Sequence, residues 1–133
     1  MWPEPVERIA QFLRESGATG RIEQLPAGID TPPGAGVRAD AFDCDGRTVV
    51  VLVPDDRAVD LERIARRGGC PQVQTLPARD FPYRGARVLA DRSLLVSRTV
   101  WLQAGSPRYF LGVGPSQLFR LTRAELGTFV AHD

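Results

Sequence analysis

The sequence predicts a mixed α+β fold, formed by one domain that spans residues 1–133. Three observations support this fold class. Segments with the apolar spacing of helices alternate with strand-like segments along the chain. The middle of the chain carries a strong β-hairpin pattern, and no internal repeat occurs. With 133 residues, of which 43% are hydrophobic, the chain can form one core but is too short for two.

The first predicted elements are a helix, a short strand and a loop. Proline favours the first turn of a helix and glycine favours its end, so Pro3 and Gly17 are predicted to bound the helix. A strand is predicted at Arg21–Leu25. Residues 26–36 contain three prolines and three glycines and are predicted to form a loop. The predicted buried face of the helix consists of Val6, Ile9, Ala10 and Leu13.

The clearest strand pattern is a hairpin around Asp45-Gly46, a dipeptide that favours two-residue turns. Its strands are predicted at Val37–Cys44 and Thr48–Pro54. Because residues 48–53 are almost entirely apolar on both faces, the second strand is predicted to lie in the centre of the sheet.

A helix is predicted directly after the hairpin. Asp55 or Asp56 suits its N-cap, and Gly68-Gly69 suits its end, so that it runs to about Arg67. The predicted buried stripe of this helix consists of Val59, Leu61, Ile64 and Ala65.

The rest of the chain is predicted to contain three strands and two short helices. Residues 70–85 have no regular pattern. Pro115 suits the start of a short helix, and Thr122-Arg-Ala-Glu125 fits a capping box that predicts a last one. The strands are predicted at Ala86–Ala90, Thr99–Gln103 and Tyr109–Val113.

The composition excludes several kinds of catalytic site. The chain has no lysine, so all 17 basic residues are arginines. A Schiff-base lysine and a P-loop lysine are therefore impossible. The single histidine, His132, is the penultimate residue, where a fixed Ser-His-Asp or Cys-His arrangement is not expected.

The two cysteines, Cys44 and Cys70, are too few for a disulfide scaffold and lack the spacing of a zinc finger. They are interpreted as small buried hydrophobic residues. No apolar run reaches the roughly 18–20 residues of a membrane span, and the N-terminus has no signal-peptide pattern. These features predict a cytoplasmic protein that does not interact with membranes.

Charge is divided unevenly along the chain. Residues 1–62 contain six arginines and twelve acidic residues, whereas residues 63–133 contain eleven arginines and four acidic residues. A basic half can bind a polyanion, but it is also compatible with an ordinary solvated surface. Arg63, Arg66 and Arg67 present the same choice, because they can follow phosphates or form the polar side of an amphipathic helix.

Two further segments carry candidate binding residues. Arg38 opens the first hairpin strand beside the glycine-rich loop, where its guanidinium can bind a phosphate or a carbonyl oxygen. It can also be a solvated arginine paired with Asp40 or Asp43. Residues 105–107 (Gly-Ser-Pro) can bring backbone N–H groups close to a ligand, with Arg108 holding an anion, or they can form a plain β-turn.

The order of several motifs resembles one known family. The longest matching segment is Phe42–Ala65, with Gly69 after it, and it is followed by Leu89–Leu95, Ala104–Arg108 and Pro115–Thr122. Together these segments resemble the YbaK/prolyl-tRNA-synthetase-associated domain family over roughly residues 6–130. The resemblance implies a mixed, partly barrel-like sheet flanked by helices. It also implies an aminoacyl-tRNA deacylase, which hydrolyses the ester of mischarged tRNA in trans.

The resemblance further implies an electropositive cleft for the tRNA 3′ end that requires no histidine, metal or cofactor. Arg38 stands at the position of the family's lysine and would contact the terminal phosphate or the ester carbonyl, with Thr31 beside it. Pro82 closes the segment that corresponds to the family's Gly-x-x-x-Pro loop. The cleft wall would include Gly105, Ser106, Pro107 and Arg108.

Three departures from the family pattern leave an alternative open. Arg38 replaces the lysine, Ala78 replaces the glycine of the loop, and a helix that the family has between the first strand and the hairpin is missing. An arginine binds oxygens well but cannot transfer a proton. The domain is therefore either an active deacylase, with tRNA and a synthetase as candidate partners, or a catalytically silent tRNA- or partner-binding module.

Overall fold

The structure is a computed structural model that describes residues 1–29 and 31–131, so that His132 lies outside the described residues. The helices are α1 (Glu4–Glu15), α2 (Leu61–Gly68) and α3 (Pro115–Thr122), and a 3-10 helix covers Arg92–Val96. The strands are β1 (Arg21–Gln24), β2 (Ala35–Cys44), β3 (Arg47–Pro54), β4 (Gln74–Leu76), β5 (Arg87–Asp91), β6 (Val100–Gln103), β7 (Tyr109–Val113) and β8 (Glu125–Gly127).

The strands form one mixed sheet in the order β1-β7-β6-β2-β3-β5-β8, and β4 pairs with β2. Strand β3 lies between β2 and β5, and Val49–Val53 within it are all buried. The predicted α+β class and the central position of this strand are therefore confirmed. The hairpin is confirmed as well, because Cys44 pairs with Arg47 across the turn at Asp45-Gly46.

Helices cover both faces of the sheet. Alternate residues of β3 point to opposite faces, the even-numbered ones to a core shared with α1 and α3, the odd-numbered ones to a core shared with α2. The buried residues of α1 are Val6, Ile9 and Leu13, three of the four predicted. No helix in the described part of the chain combines the length and the apolar character needed to cross a bilayer.

The segment between β1 and β2 contains no helix among its described residues, in agreement with the predicted loop. The loop is shorter than expected because β2 begins at Ala35. Predicted strand bounds in the second half differ from those of β5, β6 and β7 by no more than one residue.

The predicted start of α2 is wrong. The helix is capped by Asp60, whose Oδ1 accepts hydrogen bonds from the N–H groups of Glu62 and Arg63 at 3.1 and 3.2 Å. Asp55 and Asp56 lie in a turn, and Val59 forms an isolated bridge with Val130, so the helix does not begin before Asp60. Leu61 is consequently 51% exposed instead of buried, whereas Ile64 and Ala65 are buried as predicted.

The predicted capping box at Thr122-Arg-Ala-Glu125 is also wrong. Thr122 lies in the last turn of α3, where its hydroxyl donates to the carbonyl of Leu118 at 2.8 Å. Arg123 ends the helix in the left-handed conformation. Glu125 then begins β8, which pairs in parallel with β5, and its carboxylate binds the guanidinium of Arg87. The residues from Glu125 form a strand because they can pair with the edge of β5, and this pairing is not visible in the local sequence pattern.

The interpretation of the cysteines needs a correction. Cys44 and Cys70 are buried, as expected, but they form a disulfide bond with a Cα–Cα distance of 5.7 Å. Cys44 lies at the end of β2, and Cys70 follows the C-terminus of α2. The packing of α2 against the hairpin brings together two cysteines that are 26 residues apart in sequence. Sequence spacing alone does not show this proximity.

Candidate functional site

The candidate site lies where β2 changes partners along one edge. Ala35 and Gly36 pair with β6, and Ala41–Asp43 pair with β4, a strand in the segment predicted to be irregular. Within the described chain, residues 37–40 have no partner strand on this edge. The sheet opens at this point, and an unpaired strand edge presents backbone N–H and C=O groups.

The backbone of Ala39 faces this opening. The carbonyl of Gly36 accepts a hydrogen bond from the N–H of Asp55 at 3.0 Å, which places it on the β3 side of the strand. In an antiparallel pair, backbone groups alternate between the partner strand and the opposite edge. The N–H and C=O groups of Ala39 are therefore directed to the open edge, where a ligand can pair with them.

A cavity of about 490 Å³ fills the opening. Three segments that are far apart in sequence line it, namely the start of β2, the loop of residues 78–83, and the turn between β6 and β7. An adjoining cavity of about 400 Å³ lies between α1 and the same loop. We refer to the two together as the cleft. The residues that line both cavities are Arg79, Asp80, Phe81 and Gly105.

The structure brings five of the seven predicted site residues to the cleft: Arg38, Pro82, Gly105, Ser106 and Pro107. Thr31 is exposed and does not line either cavity. Arg108 does not line the cleft either, because its Nε and Nη2 both donate to the carbonyl of Leu25, at 3.0 and 2.8 Å. Arg108 thus holds the end of β1 against the turn.

Arg38 lies at the rim of the cleft with its side chain on the α2 face of the sheet. Its Nε donates to both carboxylate oxygens of Asp40 at 2.9 Å, the pairing that was the alternative to ligand binding. Its Nη1 and Nη2 donate to the carbonyls of Asp55 and Arg57, at 3.1 and 2.8 Å. A guanidinium has five N–H groups. One N–H on each Nη therefore remains for a ligand.

We call the cavity of about 490 Å³ the central cavity. It is not electropositive, in contrast to the expectation from the family. It is lined by two arginines and three aspartates: Arg38, Arg79, Asp40, Asp55 and Asp80. The adjoining cavity, in contrast, has three arginines and one aspartate in its walls. Positive charge is therefore concentrated on the α1 side of the cleft, and carboxylates are concentrated beside the open edge of β2.

The turn between β6 and β7 has a shape that only glycine permits at its first position. Gly105 has a φ of 84°, and a Cβ there would lie 3.0 Å from the backbone carbonyl carbon of Pro5. The turn is closed by a hydrogen bond of 3.2 Å from the N–H of Tyr109 to the carbonyl of Ser106. The absence of a side chain lets the turn pack against the start of α1, between the two cavities.

The loop of residues 78–83 is anchored by aromatic packing. Phe81 is buried, and its ring makes edge-to-face contacts with Phe12 and Tyr83 at centroid distances of 5.7 and 5.8 Å. The Phe81-Pro82 peptide bond is cis. Burial raises the pKa of the Tyr83 phenol, and the nearby Asp80 carboxylate raises it further. Tyr83 therefore keeps its proton at neutral pH and can donate a hydrogen bond but not act as a base.

Sequence reasoning missed several residues of the cleft, among them Asp55, Arg79, Asp80 and Tyr83. Asp55 was interpreted as a helix cap, and Asp80 and Tyr83 lie in the segment that showed no regular pattern. No local signal marks them, because the packing of the loop against β2 brings them to the cleft. In the described residues, no group of three or more histidine, cysteine, aspartate or glutamate side chains is arranged to hold a metal ion.

No protein-family model matches this sequence, and no similar protein was found among the curated proteins. Solved structures do show the same fold. A protein proposed to be a trans-editing enzyme for prolyl tRNA synthetase is 20% identical, with a TM-score of 0.85 over 99% of this chain and 100% of the other. The hypothetical protein APE2540 is 17% identical, with a TM-score of 0.79 over 93% of this chain and 99% of the other.

The same fold also occurs as part of a longer chain. A proposed signal transduction protein from Marinobacter aquaeolei VT8 is 17% identical, with a TM-score of 0.74 over 99% of this chain and 31% of the other. At these identities the likeness concerns the fold, and function has to be argued from the site. These structural matches over nearly the whole chain confirm the YbaK-like fold that the sequence resemblance implies.

Proposed function

We propose that this domain is an aminoacyl-tRNA editing enzyme that hydrolyses the ester of a mischarged aminoacyl-tRNA in trans, in the cytoplasm. The observation that carries the proposal is the cleft at the open edge of β2, where Arg38 at the family's lysine position, the loop that corresponds to Gly-x-x-x-Pro, and the Gly105–Pro107 turn meet. The similarity in fold to the proposed trans-editing enzyme for prolyl tRNA synthetase supports the same function. No cofactor is needed for this reaction.

The carboxylates of the central cavity suit the amino group of an aminoacyl ester. Asp55, which follows β3, and Asp80, in the loop of residues 78–83, both line this cavity. A protonated amino group is bound more strongly by a carboxylate than by a neutral acceptor. The open edge of β2 supplies the complementary donor, because the N–H of Ala39 can bind the carbonyl oxygen of the ester. These two contacts would orient an aminoacyl group along β2.

The reaction would proceed by direct attack of water, since no side chain of the cleft is an activated nucleophile. Ser106 would donate a hydrogen bond to the substrate. The resemblance to the family implies that the terminal ribose hydroxyl helps the attacking water. Donors that bind the oxyanion of the tetrahedral intermediate typically contribute about 10²- to 10³-fold in rate. Ala39 N–H, Ser106 and Tyr83 are the candidates for that role.

Arg38 would bind a substrate oxygen with the two N–H groups that it does not share with the protein. Its contacts with Asp40 and with the carbonyls of Asp55 and Arg57 hold the guanidinium in place before the substrate arrives. A preorganised donor loses little conformational entropy on binding. Arg38 would thus anchor the terminal phosphate or the ester carbonyl at the rim of the cleft.

The test is the release of amino acid from a panel of mischarged tRNAs by the purified protein. Wild type should release at least one amino acid faster than the reaction without enzyme, and Arg38→Ala should abolish the difference. Ser106→Ala, which removes one candidate donor to the oxyanion, should slow release by about 10²- to 10³-fold. Arg14→Ala is the matched control, because Arg14 is exposed at the end of α1 and outside both cavities.

Melting curves of all variants separate a loss of chemistry from a loss of folding, since Arg38 also joins β2 to the loop before α2. Wild-type rates equal to the reaction without enzyme across the whole panel would refute the proposal. Equal rates for Arg38→Ala and wild type would refute the role of Arg38.

The hydrogen bonds of Arg38 also favour a second candidate function, a tRNA-binding module that has lost its chemistry. Three of the five N–H groups of the guanidinium are occupied by the protein itself, and Ala78 stands where the family has glycine. This alternative predicts salt-dependent binding of tRNA without turnover. It also predicts that Arg38→Lys gains activity, if the arginine is a replacement that disabled the family's lysine.

A further inference from the structure

A cluster of arginines lies on the α2 face of the sheet, outside the cleft. Its members surround a depression of about 500 Å³ that Gly127, Thr128 and Phe129 complete. We call this cluster the arginine surface. It consists of Arg63, Arg66, Arg67 and Arg92.

Two of these arginines have contacts that fix them in place. Arg63 forms an ion pair of 3.2 Å with Asp60, the N-cap of α2. The guanidinium of Arg67 lies 5.2 Å from the ring centre of Phe129 and donates to the carbonyl of Leu126 at 3.4 Å. These contacts hold two positive charges at the border of the depression.

The other two arginines have no such partners. Arg66 and Arg92 are exposed, and neither forms an ion pair or a side-chain hydrogen bond with any residue of the described chain. Four positive charges thus share one depression, where Asp60 forms an ion pair with Arg63 and the charge of Arg67 helps to lower the pKa of the nearby Glu125 carboxyl. Such a surface complements a ligand with several negative charges, of which a nucleic-acid backbone is the common example.

The arginine surface and the cleft lie at the same end of the sheet. Leu52 of β3 pairs in parallel with Ala90 of β5, so the two strands end on the same side of the sheet. Asp55 and Arg92, which follow these strands, therefore lie at the same end of the sheet. A groove lined by Arg38, Val59 and Leu61 adjoins the cleft at the start of α2. Three members of the arginine surface, Arg63, Arg66 and Arg67, follow Leu61 in α2. The distance between the groove and the arginine surface is therefore set by the diameter of this helix, about 10 Å. An extended polyanion can therefore reach both places.

We propose that the arginine surface binds the sugar-phosphate backbone of tRNA while the aminoacylated end occupies the cleft. This inference rests on the proposed function and adds a second point of contact to it. The cleft itself offers little net positive charge to a polyanion, because its two cavities together are lined by four arginines and three aspartates. The arginine surface supplies the affinity for tRNA, and the cleft acts on the ester.

The experiment measures binding of bulk deacylated tRNA as a function of salt concentration. The double variant Arg66→Ala/Arg92→Ala should bind about tenfold or more weakly than wild type, and the slope of log K against log[salt] should fall by about two. The matched control is Arg14→Ala/Arg120→Ala, which removes the same charge from the opposite face of the sheet and should bind like wild type. Both double variants should melt at the temperature of wild type.

Hydrolysis assays separate this inference from the proposed function. With aminoacyl-tRNA, Arg66→Ala/Arg92→Ala should lower kcat/KM, whereas with a short aminoacylated oligonucleotide it should match wild type. If wild type hydrolyses neither substrate but the double variant still binds tRNA more weakly, the proposed function fails and the binding surface stands. Equal tRNA affinity of both double variants, or binding of wild type to phosphatidylserine vesicles but not to tRNA, would overturn the inference.

Discussion

Asp91, at the end of β5, is 1% exposed although it carries a carboxylate. Its Oδ1 accepts hydrogen bonds from the N–H groups of Phe129 and Val130, at 2.7 and 3.2 Å. The other oxygen accepts from the N–H of Ser93 at 3.0 Å and from its hydroxyl. One side chain therefore joins the C-terminal segment to the end of β5, and its replacement should weaken the attachment of that segment.

The size of the effect follows from the groups left without a partner. A buried N–H that loses its acceptor costs about 1–3 kcal/mol. Asp91→Ala leaves two such groups, those of Phe129 and Val130, and should lower the free energy of unfolding by about 2–5 kcal/mol. Asp91→Asn keeps one acceptor oxygen but loses the charge, so we expect a loss of about 1–3 kcal/mol. Both values are large against the roughly 5–15 kcal/mol of a typical domain.

The effect should depend on pH. Burial alone raises the pKa of Asp91, but hydrogen bonds from Phe129, Ser93 and Val130 outweigh burial and hold the pKa below its usual value. A group with a lowered pKa in the folded state stabilises the fold above its unfolded pKa, which is about 3.9 for aspartate. This stabilisation is lost as the pH falls below that value. The difference between wild type and Asp91→Asn should therefore shrink in acid.

Urea unfolding followed by circular dichroism, at about pH 7 and at several values down to about pH 2.5, measures both effects. Asp56→Asn is the control, since Asp56 is exposed and should change the free energy of unfolding by less than about 0.5 kcal/mol. A difference below about 0.5 kcal/mol for Asp91→Ala, or one for Asp91→Asn that stays constant into acid, would refute this account of how the C-terminal segment is held.

Two further predictions concern the corrected elements. Cys44→Ala/Cys70→Ala opens a cross-link between residues 26 apart and should lower the free energy of unfolding by about 3.5 kcal/mol, from the entropy of loop closure. Urea curves of wild type with a reducing agent should match those of the double variant, and curves that do not move on reduction would contradict the disulfide. Asp60→Ala removes the N-cap of α2 and should cost about 1–2 kcal/mol, whereas Asp56→Ala should cost almost nothing. A larger loss of thermal stability for Asp56→Ala than for Asp60→Ala would indicate that the helix is capped at the position that the sequence favoured.

Much of the fold could be predicted because its signals are local. The apolar spacing of α1, the Asp45-Gly46 turn and the apolar run in β3 each express a preference of a few adjacent residues, and all three are observed. Predictions failed where a distant partner overrode the local preference. Asp55 and Asp56 are good caps, but the bridge between Val59 and Val130 delays the helix until Asp60.

The candidate site shows the same division. The sequence pointed to Arg38, Pro82 and the Gly105–Pro107 turn, because these lie in segments that resemble family motifs, and all of them line the cleft. It offered the pairing of Arg38 with Asp40 only as an alternative, and it did not reveal that carboxylates dominate the central cavity. Hydrogen-bond partners and local charge depend on which loops meet in space, and a single sequence does not show which distant segments are in contact.

The sequence by itself determined the three α-helices and the strands other than β4 and β8, the use of arginine for every basic side chain, and the exclusion of lysine chemistry. Only the tertiary structure decided that β2 opens between β6 and β4, that Cys44 and Cys70 meet, and that four arginines share one depression. The physical reason is range. Backbone propensities and turn preferences act over a few residues, whereas strand pairing, disulfide bonding and charge clustering join residues that are far apart along the chain.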